Sequence, residues 1–228
     1  MSLELIGIAV APGLAIVIYI YFRDKYDREP FVPLFVSFVL GAFTIIPAAS
    51  IESALIGESV PGSSSLWMCA VEAFLFVGLV EEWVKYVVLK RYSFKHPAFD
   101  EPFDGIVYAV MVSMGFATAE NILYVLQHGF GTGIMRMFTA VPMHAAVAVM
   151  MGYYVGSQKF EPTNKLLGLK GLLVAAFFHG AYDFWLFQKW DSSLYLLAFV
   201  VLWWAIRLAR KAMDRQVENS PFKPSGMS

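Results

Sequence analysis

The chain has 228 residues, of which 58% are hydrophobic, 16% aromatic and only 15% charged. No soluble domain of this length needs so much apolar side chain to fill its core, so the composition indicates a membrane protein whose first partner is the lipid bilayer. The net charge of −1 at pH 7 gives no reason to expect a nucleic acid as a partner.

Apolar segments long enough to cross a bilayer, about 20 residues each, recur along most of the chain. In chain order they are 3–22, 32–56, 66–89, 104–127, 134–157, 166–187 and 191–208. The sequence therefore predicts an all-α, polytopic membrane helical bundle of about seven transmembrane helices. Residues 1–208 are expected to form a single transmembrane domain, and the polar segment 209–228 a disordered cytoplasmic tail.

The basic residues predict the orientation of the bundle. With the N-terminus outside, only Arg136 and Lys189 of the 17 Lys and Arg residues fall on the outer side, and Lys85 lies within the membrane. All the others fall on the inner side, as the positive-inside rule requires, and this works only for an odd number of spans. We therefore expect the N-terminus outside and the C-terminus in the cytoplasm.

Two smaller features concern packing. Cys69 is the single cysteine, so an internal disulfide and a zinc site of paired cysteines are both excluded, and we interpret it as a small buried hydrophobe. The segment Gly152-Tyr-Tyr-Val-Gly156 places two small residues on one helix face, which predicts close approach of a second helix.

Ionisable side chains occur where the bilayer makes them costly. Each costs about 2.5 to 3.5 kcal/mol at the middle of a membrane helix, so several together indicate a functional site. The third to sixth predicted spans carry Glu81, Glu82, Lys85, Glu120 beside Asn121, His144, His179 and Asp183.

Helical spacing relates these residues to one another. Lys85 follows Glu81 by four residues and Glu82 by three, so it can pair with either carboxylate. Adjacent residues point about 100° apart, so only one glutamate faces a central cavity, and we assign Glu81 to it. His179 and Asp183 are four apart and share a face, so the carboxylate can fix the imidazole tautomer.

Other residues have simpler interpretations. Phe116 lies one turn before Glu120 and either walls the site or only packs. Glu52 and Glu72 lie near the outer helix ends, where carboxylates reach water, and we treat both as structural. Asp104 suits the start of a helix dipole. The cluster itself could consist of structural ion pairs alone, and His144 could be a packed core histidine.

Two reaction types suit carboxylates and histidines in a partly dry cavity. A glutamate can activate water while a histidine steadies the developing oxyanion. Alternatively Glu, His and Asp can bind zinc, but the sequence has no H-E-x-x-H motif and the carboxylates lie on three helices. We expect no cofactor, with a divalent metal such as zinc as the second choice.

Three motifs resemble those of a known family. Glu81-Glu82-Trp-Val-Lys85, Phe116-Ala-Thr-Ala-Glu120 and His179-Gly-Ala-Tyr-Asp183 are similar to the E-E-x-x-K, F-x-x-x-E and H-x-x-x-D motifs of PrsW proteases, which are related to CAAX-processing enzymes. The likeness extends to Ala11-Pro12-Gly13, Tyr26–Pro30, Asp104–Tyr108, Glu120–Tyr124 and the pair Trp203 and Trp204, and so covers nearly the whole chain.

The resemblance implies a multi-pass protease of the bacterial cell membrane. Such proteases make the first, site-1 cut in a single-span anti-sigma factor on its extracytoplasmic side, and further proteolysis then frees an extracytoplasmic-function sigma factor during envelope stress. By motif, Glu81 would activate water, Glu82 and Lys85 would support it, and Glu120, His179 and Asp183 would complete the site. His144 lies outside these three motifs, and we include it in the site only because of its expected depth in the membrane. The resemblance leaves the oligomeric state open.

One departure concerns the fourth predicted span. CAAX-type enzymes have F-x-x-x-H where this chain has Glu120, so His144 could substitute for the missing histidine. At about 1.5 Å per residue, Glu120, His144 and His179 lie at one depth in the outer half of the membrane, whereas Glu81 lies deeper. Either the third span has other boundaries or the site is elongated.

Three other functions remain open at this level. Buried Glu, His and Asp residues also form proton relays, so a proton-coupled transporter is the main alternative, although no internal repeat of the transporter kind is visible. A non-catalytic receptor or scaffold would need the cluster only for stability. Processing of prenylated or short peptides would keep the protease class and change the substrate.

Overall fold

The computed structural model describes residues 3–57, 62, 65–161 and 163–224, and within these ranges the secondary structure is entirely helical. The helices are α1 (Leu3–Arg23), α2 (Phe31–Phe43), α3 (Ile45–Ile56), α4 (Leu66–Val71), a π-helical segment (Glu72–Leu79), α5 (Val80–Arg91), α6 (Asp104–His128), α7 (Phe130–Phe138), α8 (Ala140–Phe160), α9 (Leu167–Phe187) and α10 (Leu196–Glu218). Short 3₁₀ turns lie at Ser93–Lys95 and Ser192–Tyr195.

Five helical stretches are long and apolar enough to cross a membrane: Leu3–Arg23, Phe31–Ile56, Asp104–His128, Phe130–Phe160 and Ser192–Glu218. They make the chain a multi-pass membrane protein. The other two predicted spans, 66–89 and 166–187, are also helical, but they carry the charged residues of the predicted site. The prediction of an all-α membrane bundle is therefore confirmed, with five spans supported by length and composition.

Helix α6 is the central helix of the bundle. Its residues from Asp104 to Thr118 are all buried, and it packs against α1, α2 and α8. The outer helices present large apolar side chains such as Phe35, Phe177 and Trp203 to the surroundings. A hydrophobic exterior around a core that contains charge is the arrangement that a lipid solvent favours.

Glycines let α6 and α8 approach closely, as the Gly152-x-x-x-Gly156 spacing predicted. A Cβ added to Gly105 on α6 would lie 2.5 Å from the Gly156 nitrogen and would also collide with the Gly152 carbonyl. Gly156 in turn lies against the Pro102 carbonyl. The small-residue face is therefore used inside the monomer, and it fixes the distance between the two helices that carry Glu120 and His144.

The π-helical segment leads directly into the glutamate pair. Its wider turns hold more residues for the same advance along the helix axis than an α-helix does. The rise from Leu66 to Glu81 is therefore shorter than that of an α-helix of the same length, and Glu81 lies beside His144 and His179. The helical stretch begins at Leu66, as predicted, and ends at Arg91. The ligand atoms of Glu81, Glu82, His144 and His179 lie within 4.8 Å of one another, so this part of the site is compact.

The predicted disordered tail from residue 209 is wrong over its first half. Helix α10 continues to Glu218, with Met213 and Gln216 buried against the bundle. The Gln216 amide donates hydrogen bonds to the Tyr153 carbonyl and to Ser157 Oγ, both at 3.2 Å. Residues 209–218 look polar in the sequence because one face of the helix is exposed and carries basic residues. The opposite face packs against α8.

A second polar cluster lies at the opposite end of α6 from the predicted site. Tyr108 donates a hydrogen bond to Glu29, and Ser220 donates one to Glu101. Asp104 Oδ2 accepts the backbone N–H groups of Asp100 at 2.8 Å and Glu101 at 2.7 Å, so Asp104 stabilises the start of α6 by hydrogen bonding.

Asp24 belongs to the same cluster, and burial together with the nearby Glu101 raises the pKa of its carboxyl group to about 7. A carboxyl group whose folded pKa exceeds its ordinary value stabilises the fold most in acid and loses this contribution as pH rises through about 7. We therefore expect Asp24→Asn to become more stabilising, by about 1 to 2 kcal/mol, as pH rises from about 5 to 8.

Thermal unfolding of the detergent-purified protein at several pH values measures this effect. The exposed Glu161, which lies outside this cluster, offers a control, since Glu161→Gln should leave the slope of stability against pH nearly unchanged. Equal slopes for wild type and Asp24→Asn would contradict the prediction.

Candidate active site

A cavity of about 400 Å³ is lined by residues of α3, the π-helical segment, α5, α6, α8 and α9, and by Arg136 of α7. The predicted site residues Glu81, Phe116, Glu120, His144, His179 and Asp183 all line it. They come from four separate helices. The structure therefore brings together side chains that the sequence placed only by depth and spacing.

Lys85 is the centre of the charge cluster and is only 2% exposed. Its Nζ donates hydrogen bonds to Glu81 Oε2 at 3.0 Å and to Glu82 Oε1 at 2.8 Å, and it lies 3.3 Å from His144 Nδ1. It also lies 3.9 Å from the centroid of the Phe116 ring. All three ammonium protons thus have acceptors, and the aromatic face adds a cation–π contact.

The two adjacent glutamates point in different directions. Glu81 lines the cavity, whereas Glu82 is 0% exposed and lies behind the cavity wall. This is the division expected from a turn of about 100° per residue. Glu81 is therefore the member of the pair that a molecule in the cavity can touch.

His179 connects the glutamate pair to Asp183. Its Nδ1 lies 2.9 Å from Glu82 Oε1, while its Nε2 lies 3.8 Å from Glu81 Oε2 and 3.4 Å from Asp183 Oδ2. The contact with Asp183 is an ion-pair distance and lacks hydrogen-bond geometry. The short bond at Nδ1 leaves Nε2 as the nitrogen that faces the cavity carboxylates.

His144 lies between the lysine and Glu120. Its Nε2 is 3.0 Å from Glu120 Oε2, and its Nδ1 faces the Lys85 ammonium. An ammonium can only donate, so Nδ1 must be the acceptor and Nε2–H the donor to Glu120. The imidazole rings of His144 and His179 meet edge to face at 5.0 Å.

Arg136 is a cavity residue that the sequence did not reveal. Its Nη2 donates to Glu120 Oε2 at 2.6 Å and its Nε donates to Asn121 Oδ1 at 2.9 Å, while Asn121 Nδ2 donates to the Ala9 carbonyl at 2.9 Å. In the sequence, Arg136 stands out only as one of the two cations on the outer side. Helical spacing relates only residues on one helix, so it cannot pair Arg136 on α7 with Glu120 on α6. The one signal in the sequence is the adjacent pair Glu120 and Asn121, whose side-chain oxygens both need a hydrogen-bond donor.

Glu52, interpreted from the sequence as structural, is a second cavity residue outside the predicted site. It lines the cavity, and its Oε1 is buried with no hydrogen-bond partner among the described residues. Glu72, the other glutamate interpreted as structural, accepts a hydrogen bond from the backbone N–H of Gly62 at 2.8 Å and does not line the cavity. The two outer glutamates therefore have different surroundings.

Comparison with known proteins supplies the family. Residues 29–206 match the family described as PrsW family intramembrane metalloprotease. The chain belongs to the PrsW family. It is 40% identical over 204 residues to Protease PrsW of Geobacillus kaustophilus, covering 89% of this chain and 88% of that protein. It is 39% identical over 213 residues to Protease PrsW of Bacillus subtilis, covering 91% and 95%.

A third relative, Protease PrsW of Clostridioides difficile, is 34% identical over 217 residues, with 91% of this chain and 90% of that protein covered. No solved structure matches the chain with significance. Membership of the PrsW family makes the protein an intramembrane protease and confirms the resemblance seen in its motifs. It gives no support to the proton-coupled transporter that was the main alternative.

The family description raises the question of a metal ion. Glu81, Glu82, His144 and His179 each offer a ligand atom, and these atoms lie within 4.8 Å of one another. However, Lys85 contacts three of the four groups, and both nitrogens of His144 already face a partner. A divalent ion among these atoms would stand beside an ammonium, so the arrangement does not fit a metal.

Proposed function

We propose that this PrsW family member is a membrane-embedded peptidase that makes the first cut in a single-span anti-sigma factor and so starts the release of an extracytoplasmic-function sigma factor. The observation that carries the proposal is Glu81 on the wall of a cavity inside an apolar helical bundle, braced by a buried lysine and beside a histidine. The anti-sigma substrate rests on the family resemblance.

Glu81 is the proposed general base. Its Oε2 is held by the Lys85 ammonium at 3.0 Å, which fixes the carboxylate while the cavity gives the group access to a water molecule. Glu81 takes a proton from water as the oxygen attacks the scissile carbonyl carbon. General-base catalysis by a positioned carboxylate typically contributes about 10²- to 10⁴-fold to a rate.

His179 is the proposed electrophile. Its Nδ1–H donates to the Glu82 carboxylate, so His179 must be the imidazolium, with a proton on each ring nitrogen, to act in this way. The carboxylates of Glu81 and Asp183 near Nε2 favour that charged form, and its Nε2–H can then donate to the carbonyl oxygen as that atom becomes the oxyanion. The intermediate collapses when the C–N bond breaks, and the proton held by Glu81 passes to the leaving amine. In total, one C–O bond forms, one C–N bond breaks and one proton moves from water to the amine, which is the hydrolysis of a peptide bond.

The remaining polar residues position these two. Glu82 and Asp183 orient His179, Lys85 holds the glutamate pair, and Arg136 holds Glu120, which in turn orients His144. Phe116 covers Lys85 and Asn121 anchors Arg136. We propose that the reaction needs no cofactor, because Lys85 already supplies the positive charge at the centre of the carboxylates.

The proposed topology has seven spans, the N-terminus outside and the C-terminus in the cytoplasm of a bacterial cell. It is supported by the helices at 66–91 and 167–187, which add to the five apolar ones, and by the Lys and Arg distribution. In this topology the cavity lies toward the outer ends of α3, α6 and α9, where an extracytoplasmic cut would occur.

The experiment is co-expression with a candidate single-span anti-sigma factor that carries different tags at its two ends. We expect wild type to produce a shortened membrane fragment whose new terminus maps to the extracytoplasmic side. His179→Ala at matched expression should abolish the fragment, and Glu72→Gln should preserve it. Cleavage on the cytoplasmic side, or an equal yield from His179→Ala, would contradict the proposal.

Arg136→Gln should lower cleavage by about 10- to 100-fold, because it leaves the Glu120 carboxylate without its cation in a buried position. Arg136→Lys should recover only part of the loss, since lysine cannot donate to Glu120 and Asn121 through one planar group. Initial rates of fragment formation measure both changes.

The outer-side cation Lys189 is exposed and supplies the control. Lys189→Gln should cleave like wild type. If Arg136→Gln also cleaves like wild type while remaining folded, Arg136 has no part in the site.

A further inference from the structure

Glu52 presents a carboxylate to the cavity from one face of α3. Ile45, Ala48, Ala49 and Glu52 all line the cavity, and their spacing of three to four residues places them on the same side of the helix. The two alanines leave space beside the carboxylate because their side chains are short. This face of α3 is therefore apolar where it lines the cavity, except for the carboxylate of Glu52 at one end.

Glu52 differs from the other cavity carboxylates in having no partner. Glu81 is paired with Lys85, Glu120 with Arg136, and Asp183 with His179. Among the described residues, no hydrogen bond or ion pair involves Glu52, although its Oε1 is buried. Glu52 and Glu81 line the same cavity, so a peptide bound there for cleavage would lie close to both carboxylates.

We propose that Glu52 is a specificity subsite that binds the protonated amine or guanidinium group of a Lys or Arg side chain near the scissile bond of the substrate. This inference deepens the proposed function and rests on it. A carboxylate that lacks a cation in a partly buried cavity gains one only when the substrate supplies it. The short side chains of Ala48 and Ala49 leave a path for a long basic side chain along α3.

The subsite would act by recognition and not by chemistry. Lys85 and His179 already hold Glu81 without any contribution from Glu52. Substitution of Glu52 should therefore remove discrimination between basic and neutral substrates, while a neutral substrate should be cut at nearly the same rate as by wild type.

The test uses the full-length protein in proteoliposomes with a panel of tagged single-span substrates. Each substrate carries Lys, Gln or Glu at successive positions of its extracytoplasmic juxtamembrane segment. At one position we expect wild type to prefer Lys over Gln by at least about 30-fold in kcat/KM, the effect typical of a lost charge partner in a buried pair. Glu52→Gln should abolish this preference, and Glu72→Gln should retain it.

Charge reversal makes the test specific. Glu52→Lys should prefer the Glu substrate at the position where wild type prefers Lys, a result that a folding defect cannot produce. Equal cleavage of Lys and Gln substrates by wild type, or a preference for Lys that persists in Glu52→Gln, would overturn the subsite. A uniform loss for all substrates in Glu52→Gln would overturn it too, by showing a role in the reaction itself. Cleavage of no substrate by wild type would overturn the proposed function as well.

Discussion

Glu81→Gln should lower the rate of peptide cleavage by about 10² to 10⁴ while leaving the protein folded. Glutamine has nearly the same size as glutamate and its carbonyl oxygen can still accept the Lys85 hydrogen bond, so the packing around the buried lysine is kept. What it cannot do is take a proton from water. Single-turnover cleavage of a reconstituted substrate, with thermal unfolding measured in parallel, separates the two effects.

Two other glutamates provide controls for this result. Glu72→Gln makes the same chemical change outside the cavity, where the carboxylate accepts the Gly62 N–H, and it should retain cleavage. Glu82→Gln changes the buried neighbour and should affect stability together with activity. If Glu81→Gln kept near wild-type activity while Glu82→Gln lost it, the base would be Glu82, and the assignment from the cavity wall would be wrong.

Lys85→Met should destabilise the protein by about 3 to 5 kcal/mol, since removing one partner of a buried ion pair leaves uncompensated charge. The ammonium is the shared donor to Glu81, Glu82 and His144. Methionine keeps the length and apolar character of the chain but donates nothing. The free energy of unfolding in a lipid-like detergent, compared with that of Lys211→Met on the exposed face of α10, measures the effect.

A second substitution tests the cause of this loss. In Lys85→Met with Glu82→Gln, one of the two stranded carboxylates is neutral, so part of the lost stability should return. No recovery would mean that the lysine acts through packing. Recovery of activity along with stability would contradict the role of Lys85 in holding Glu81.

Much of the site could be predicted because each intramembrane charge is costly and therefore informative. The i,i+3 and i,i+4 spacings around Lys85 and between His179 and Asp183 predicted their pairing, and the angle between adjacent residues separated Glu81 from Glu82. These are local relations on single helices, which sequence periodicity expresses directly.

Relations between helices were less predictable. Arg136 reaches Glu120 across a turn and a short helix, and Glu52 faces the cavity from α3, where its nearness to a helix end suggested access to water instead. The π-helical segment before Glu81 has no clear sequence signature, and it changes both depth and direction. Helix α10 extends past the apolar stretch because one amphipathic face packs against α8, which hydropathy alone does not detect.

Metal independence is the most direct test of the central claim that Glu81, braced by Lys85, activates water. The purified protein in proteoliposomes would be treated with a chelator that removes zinc and other divalent ions, its metal content measured, and cleavage of the tagged substrate followed. Full cleavage by the metal-free protein, with a rate about 10² to 10⁴ times lower for Glu81→Gln, is the predicted result. Loss of cleavage on chelation, restored by adding zinc, would contradict the account and identify Glu81, Glu82, His144 and His179 as metal ligands that displace the lysine.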